Sequence, residues 1–407
     1  LPREAIENRE FLGELSLDGS LRPSHGALSA TLSATDAKHT LCVAPDGAAQ
    51  LASVPGSRIL AATDLLSLCA VLQAREPALV KPGSDPLAPI PNYPDLSQLR
   101  GQPFLCRALE LAAAGGHHLL MCGPPGVGKT LAASVLPGLL PPLQPKTQQQ
   151  IWLIRDLMGL PRVSGPTFRA PHHSSTIAAL IGGTARATPG EISMAHGGVL
   201  FLDEVTEFPR AVLNQLRQPL ESGEITVVRA QHQYRYPARF QLVAAMNPCP
   251  CGQADSEDGG CRCSPDIIRR YRQSVSGPLT DRIDLHVTLT KPPPEQLLSP
   301  PPERRLSVHL MQRIASVQAH QYGRQGCLNR DLSGERALAV CALSATTRAR
   351  FIEALASLSL SARSAHRRLR VARTLADLDG IEDVSMAHLN TALSFRETPT
   401  EVGGVKG

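Results

Sequence analysis

Aromatic side chains are scarce in this 407-residue sequence, at 3%, so an extended platform for stacking nucleic-acid bases is not evident. No stretch of about 18 apolar residues occurs, so no transmembrane helix and no membrane partner are expected. The first residues, LPREAIENREF, carry charges of both signs and no apolar h-region, so no signal peptide is expected. They open on Leu1 rather than Met, which leaves room for a missing upstream segment. Neither sign of charge dominates: 41 Lys and Arg face 36 Asp and Glu, and the net +5 neither demands nor excludes nucleic acid. With 42% apolar and 19% charged residues, a largely disordered chain is excluded. The ten cysteines do not make a disulfide scaffold. Six of them (Cys42, Cys69, Cys106, Cys122, Cys327, Cys341) lie mostly among apolar neighbours and read as buried reduced thiols, which fits a reducing cytoplasm.

The length suits two or three domains with cores that need no disulfide staples. Pro82, Pro86, Pro89, Pro91 and Pro94 mark residues 81–99 as a linker, because proline removes backbone donors and disfavours helix before it. A second cluster, KPPPEQLLSPPPE (291–303), marks another boundary. Residues 1–80 mix short β-like runs such as Thr40–Val43 with Ala/Leu-rich helical runs, a small α+β unit. Residues 100–290 alternate helices with the apolar runs Leu119–Cys122, Val199–Leu202 and Phe240–Ala245. Such runs predict an α/β domain whose parallel sheet is covered on both faces. Residues 303–396 carry Leu, Ala and Arg at helical spacing, a small helical domain followed by a tail at 397–407. No internal repeat is evident.

Three segments of the α/β region carry chemistry. Gly123-Pro124-Pro125-Gly126-Val127-Gly128-Lys129-Thr130 follows a predicted strand and opens a helix at Thr130–Leu136. This is the phosphate-binding G-x-x-x-x-G-K-[ST] pattern in the context it requires. Its backbone N–H groups can turn inward around the phosphates of ATP, and Lys129 can reach the β- and γ-phosphates. The Thr130 hydroxyl can ligate Mg²⁺. GGVLFLDEVTEF (197–208) ends an apolar run in Asp203-Glu204, where Asp203 would hold Mg²⁺ through water and Glu204 would polarise the attacking water. Taken alone, the two acids could equally be a solvated strand end. The run Phe240–Met246 ends in Asn247, whose amide can orient that water or simply begin an Asn-Pro turn.

Cys249, Cys251, Cys261 and Cys263 crowd into 15 residues. Four thiolates could close one structural Zn²⁺ site, although C-x-C is tighter than the usual C-x₂₋₄-C. The alternative is four reduced cysteines in a mobile loop. Arg269, Arg270 and Arg272 follow at once and could meet DNA phosphates or a neighbouring subunit. Arg363, Arg367 and Arg370 share one helix face, and Arg368 and Arg373 read as solvated or interface residues.

The order of phosphate loop, acidic strand, strand ending in Asn and helical domain is similar to that of the AAA+ ATPases. PHHSST (171–176), GEISMAHGGVLFLDEVTEF (190–208), QPLESGEITVVRA (218–230), NPCPCG (247–252), DRIDLHV (281–287) and LRVARTLADL (369–378) resemble the magnesium-chelatase-like branch, specifically the ComM/YifB family. The resemblance covers essentially the whole chain. It implies a P-loop AAA+ core with a C-terminal helical lid. GELSLDGSLRP (13–23) is similar to that family's N-terminal Lon-protease-like domain, here only partial. The dyad lysine of Lon peptidases would fall at Leu28, so no peptidase activity is expected.

The resemblance further implies a homo-oligomeric ring, a hexamer, in which Arg282 reaches the neighbouring subunit's nucleotide and Arg363, or in its place Arg370, contacts the γ-phosphate from the lid; Asp281 or Asp284 could instead hold Arg282 in an ordinary ion pair. The 74 residues between Lys129 and Asp203 leave room at 150–197 for a pore-facing helix insert. Its Arg169 and Arg186 could touch a substrate or sit in a solvated loop. The implied activity is ATP-driven branch migration or helicase action on DNA, supporting homologous recombination in natural transformation beside recombination or competence proteins. The alternatives are the ATPase subunit of a magnesium chelatase, a MoxR-like chaperone, and an ATP-gated scaffold that does not turn over.

Overall fold

Strands buried on both faces, such as Val199–Leu202 and Gln241–Met246, form the central layer of the chain. The computed structural model describes residues 3–73, 79–83, 91–183, 187–229, 232–254, 260–275, 277–293, 295–296 and 306–396. Residues 84–90 of the expected linker, most of the second proline cluster, Arg186 and the tail at 397–407 lie outside the described residues. The chain divides into two units, Leu1–Pro91 with Gln144–Gly165, and Asn92–Leu143 with Pro166–Gly407.

The first unit is a mixed α/β layer. Its three parallel strands run in the order Arg9–Leu12, Thr40–Val43, Ile59–Ala61. Helix Ala27–Asp36 covers them, with Leu28, Leu41, Val43, Leu51 and Ile59 as the core. Helix Pro145–Leu157 completes this core with Trp152 and Leu153. Its Asp156 carboxylate accepts from the backbone N–H of Leu28 at 2.9 Å, which caps the start of the first helix. Residues 144–165, read from the sequence as part of the ATPase core, therefore pack with the N-terminal residues.

The second unit holds a five-stranded sheet in the order Leu285–Thr288, Leu119–Cys122, Gln241–Met246, Val199–Leu202, Phe168–Arg169. Every neighbouring pair in it is parallel. Side chains alternate between faces along a strand. Leu119, Met121, Phe201 and Val243 thus join one apolar cluster, while Leu120, Leu200, Leu202 and Leu242 join the other. The first cluster also takes in helix Pro103–Gly115 and the C-terminal helices Leu306–Gln325, Gly334–Cys341, Ala345–Ser357, Ala362–Leu378 and Met386–Ser394. The architecture is α/β with a C-terminal helical region, as expected. Residues 92–99 differ from a free linker: Asp95 caps a short turn, and Leu96 and Leu99 enter this core.

Helix Ala362–Leu378 corrects two expectations. Arg368 and Arg373 are buried rather than solvated. Arg368 donates to the carbonyls of Ala392 (3.0 Å) and Asp284 (2.7 Å), and Arg373 donates to Asp377 Oδ1 (3.0 Å) and the Ile381 carbonyl (2.6 Å). Each guanidinium can be buried because fixed oxygens replace its water. A buried relay fastens the same helix to the sheet: His117 bonds Asp284 Oδ2 through Nδ1 at 2.9 Å and Thr374 Oγ1 through Nε2 at 2.8 Å. The scattered cysteines also differ from expectation. Cys42 and Cys341 are buried, whereas Cys69, Cys106, Cys122 and Cys327 are partly exposed, with Cys106 and Cys327 packed against one apolar cluster and Cys122 against the other.

Candidate functional site

In a parallel sheet all carboxyl ends lie along one edge, and ligands bind there. Strands Leu119–Cys122, Val199–Leu202 and Gln241–Met246 deliver the phosphate loop, Asp203-Glu204 and Asn247 to that edge. The loop turns into helix Lys129–Leu139 through Gly128 at φ 91°, a backbone conformation that side chains with a Cβ disfavour. Gly123, Pro124 and Val127 are buried, while Pro125 and Gly126 are exposed at its rim.

Lys129 is folded into the loop it serves. Its Nζ donates to the Gly123 carbonyl (2.6 Å), the Pro124 carbonyl (3.0 Å) and Asn247 Oδ1 (2.9 Å). Burial pulls its pKa below the ordinary lysine value, and Asp203 is the leading opposing influence. Thr130 Oγ1 donates to Asp203 Oδ2 at 2.9 Å, and Asp203 Oδ1 accepts from the Glu204 backbone N–H at 3.0 Å. Glu204 itself sits in the left-handed region at φ 49°, ψ 49°, a strained turn for a residue with a side chain. Its carboxylate is exposed and lies 3.9 Å from His173 Nδ1. The structure thus brings together Lys129, Thr130, Asp203, Glu204 and Asn247. A buried ammonium, a hydroxyl–carboxylate pair and a glycine turn at a helix start form a donor set that fits Mg²⁺ and the phosphates of ATP.

Arg282 and Arg363 are placed apart from this set. Arg282 precedes strand Leu285–Thr288, whereas Lys129 follows strand Leu119–Cys122, and these strands pair in parallel. The two side chains therefore start from opposite edges of the sheet. Four strand residues separate the edges by about 13 Å, more than an arginine side chain spans. Arg282 is nearly buried and forms an ion pair with Glu221. Burial lowers its pKa, with Arg363 and Arg217 as the neighbouring cations that add to the effect. Arg367 donates to the carbonyls of Thr280 (3.1 Å) and Ile283 (3.0 Å), so the helix bearing Arg363 is anchored to the segment bearing Arg282.

The four-cysteine cluster forms as a unit. All four sulfur atoms lie within 4.8 Å of one another. The Cys249–Cys251, Cys249–Cys261 and Cys251–Cys261 separations are 3.2, 3.7 and 3.6 Å. Tetrahedral Zn–S bonds of about 2.3 Å put sulfurs about 3.8 Å apart, so the donor set fits zinc. Cys249 is fully buried, so the cluster is fastened to the core at that residue. Beyond it, Arg269 pairs with Asp266 on its own helix, Arg272 donates to the Pro248 carbonyl at 3.0 Å, and Arg270 is exposed. Arg169 is gripped in a fork by Glu191, with both bonds at 2.6 Å, so its charge is already matched.

Two features escaped sequence reasoning. His173 approaches Glu204 from 31 positions earlier in the chain, and its ring packs against His172 and Phe208. A hairpin of strands Glu224–Arg229 and His232–Pro237 projects with Val228, Tyr234 and Arg235 exposed, while Ile225 and Val227 are buried. Alternating apolar residues in EITVV were the available signal.

Residues 95–297 match the family described as magnesium chelatase, subunit ChlI, and residues 305–396 match its C-terminal family. The protein YifB of Salmonella typhimurium is 40% identical over 396 residues, covering 96% of this chain and 78% of that protein. YifB of Escherichia coli is 39% identical over 400 residues, covering 97% and 78%. Competence protein ComM of Haemophilus influenzae is 39% identical over 400 residues, covering 96% and 78%.

Proposed function

This chain belongs to the magnesium-chelatase ChlI-like family of AAA+ ATPases, and on that premise we propose that it is a ring-forming, ATP-driven motor acting on DNA. The observation that carries the ring is the placement of Arg282 at the edge opposite the phosphate loop, beyond reach of its own pocket. This placement supports a site completed by a second copy, and the hexamer implied by the family resemblance is the expected ring.

When bound, MgATP supplies the phosphoryl group whose transfer to water drives the cycle. Lys129 exchanges its carbonyl contacts for phosphate oxygens, and the backbone N–H groups of 123–130 hold the chain of phosphates. Thr130 and Asp203 hold Mg²⁺. Glu204 Oε accepts the proton of the attacking water, and the Asn247 amide orients that water. Arg282 enters the neighbour's pocket, and Arg363 is carried on the lid helix that Arg367 anchors to the Arg282 segment. Such an arginine in trans is worth about 10³–10⁵ in rate. The four thiolates of Cys249, Cys251, Cys261 and Cys263 would hold a structural zinc ion, which would tie the loop together.

The exposed hairpin supports the DNA reading, because Arg235, Tyr234 and Val228 put a cation, an aromatic ring and an apolar side chain on its open surface. Branch migration in competence is the specific role proposed, after the relative named for competence. The test is ATPase rate against single-stranded, duplex and branched DNA at two salt concentrations. Stimulation by branched DNA that weakens with salt is expected. A rate indifferent to every DNA, but raised by a protein partner, would turn the reading towards a chaperone.

A further inference from the structure

The loop that carries the four thiols is joined to the nucleotide pocket at two points. Cys249 lies two residues beyond Asn247, the amide that bonds Lys129 Nζ, and both Pro248 and Cys249 are buried. Gly252 lies against the phosphate loop: at φ 78°, a Cβ added there would stand 2.8 Å from Pro125 Cδ. The far side of the cluster is tied as well. Ser264, next to Cys263, caps helix Pro265–Arg272, and Arg272 of that helix donates back to the Pro248 carbonyl. Residues flanking the sulfur cluster therefore join the amide strand end, the rim of the phosphate loop and a helix start.

We propose that the metal held by Cys249, Cys251, Cys261 and Cys263 is a strut that sets the shape of the phosphate pocket, so that metal loading governs nucleotide affinity and turnover. This rests on the reading that the thiolates hold zinc. Zinc enters as the thiols release protons to solvent, with no change of oxidation state. Bound, it fixes the path from Asn247 through Cys249 and Cys251 to Gly252. That path presses Gly252 against Pro125 and holds the Asn247 amide beside Lys129. Without the metal, the thiols separate and both contacts lose their support. A displacement of about 1 Å at a reacting site lowers rate about a hundredfold, which is ample for control.

The experiment uses the full chain and separate readouts. Metal content is measured on the purified protein, on protein stripped with a chelator, and on Cys261→Ser. ATP affinity is measured by equilibrium titration with a fluorescent analogue, turnover by phosphate release, and folding by circular dichroism. One zinc per chain is expected, with stripping weakening ATP affinity about 10–100-fold and added zinc, but not magnesium, restoring it. Gly252→Ala should keep its zinc yet weaken ATP affinity, because the added Cβ meets Pro125 and strains the φ 78° turn that leads from Cys251 to that contact. Absence of bound metal from the purified chain would overturn the zinc reading itself. Zinc that is present and removable, with ATP affinity and turnover unmoved by stripping, would overturn the strut while leaving the zinc. If stripping unfolds the protein, Gly252→Ala decides: unchanged affinity in that metal-loaded variant overturns the proposal.

Discussion

The ammonium of Lys129 already has three oxygen partners and little contact with water. Its replacement therefore removes a buried charge around which the loop is shaped, not merely a phosphate ligand. Lys129→Ala is expected to weaken ATP binding by about a hundredfold or more, since each charge-assisted bond is worth about 1.5–3 kcal/mol, as read by titration with a fluorescent ATP analogue. Glu204→Gln should bind ATP normally but trap it, which single-turnover phosphate release would detect. Three histidines, His118, His196 and His286, are held down by burial and carry a pH signature. His118 Nδ1 accepts from the Leu242 N–H at 2.9 Å and His196 Nδ1 from the Arg239 N–H at 3.1 Å, so both are neutral in the fold. Burial holds His118 well below the usual range and drives His196 down to about 4. The unfolded chain takes up these protons first, near pH 6.5 or so. Their contribution is then complete above about pH 6.5 and is lost as pH falls towards 4. Melting temperature should fall across that window, and His196→Asn, which keeps an acceptor, should flatten the slope. The phosphate loop is readable in sequence because its eight residues are contiguous. His173 beside Glu204 is not, because that proximity exists only once two strands are paired.

At the scale of elements, the lid helix Ala362–Leu378 is held by buried polar bonds as much as by apolar packing. The Arg368 guanidinium is pulled by burial to about 10 and still satisfies two backbone carbonyls. Arg368→Ala is expected to destabilise the protein by about 3 kcal/mol, read from the urea midpoint, because it leaves a void and two unpaired carbonyls. Helical spacing shows which arginines share a face, but not which face the neighbouring segments cover. That is why Arg368 and Arg373 read as solvated from sequence and prove buried. The strands were easier to read: continuous apolar runs of four to six residues leave few alternatives to a covered parallel sheet. The projecting hairpin was missed because its exposed strand, HQYRYP, has no apolar period. If it touches DNA, Arg235→Ala should lower the slope of log affinity against log salt by about one, measured with a labelled branched duplex.

At the scale of the molecule, the direction of the sheet decides what one chain can do alone. No motif states that Arg282 and Lys129 start from opposite edges; parallel pairing of their strands does. Arg282→Ala and Lys129→Ala should each abolish turnover, yet mixing them should restore part of it. An intact pocket in the first protein would then meet an intact arginine from the second. Absence of rescue, with mixing verified by native mass spectrometry, would place Arg282 in an ordinary ion pair with Glu221. The extent of the ATPase core was only partly legible, since the segment at 144–165 has no local mark that assigns it to the first unit. That assignment bears on synthesis as well as on the finished molecule. The N-terminal layer needs Trp152 and Leu153 to close its core. The ribosome must therefore translate the whole phosphate loop before the first layer can finish folding. Until then its unfinished apolar surface is open to chaperones, and a gene fragment cut at residue 91 would encode a layer that lacks its last wall.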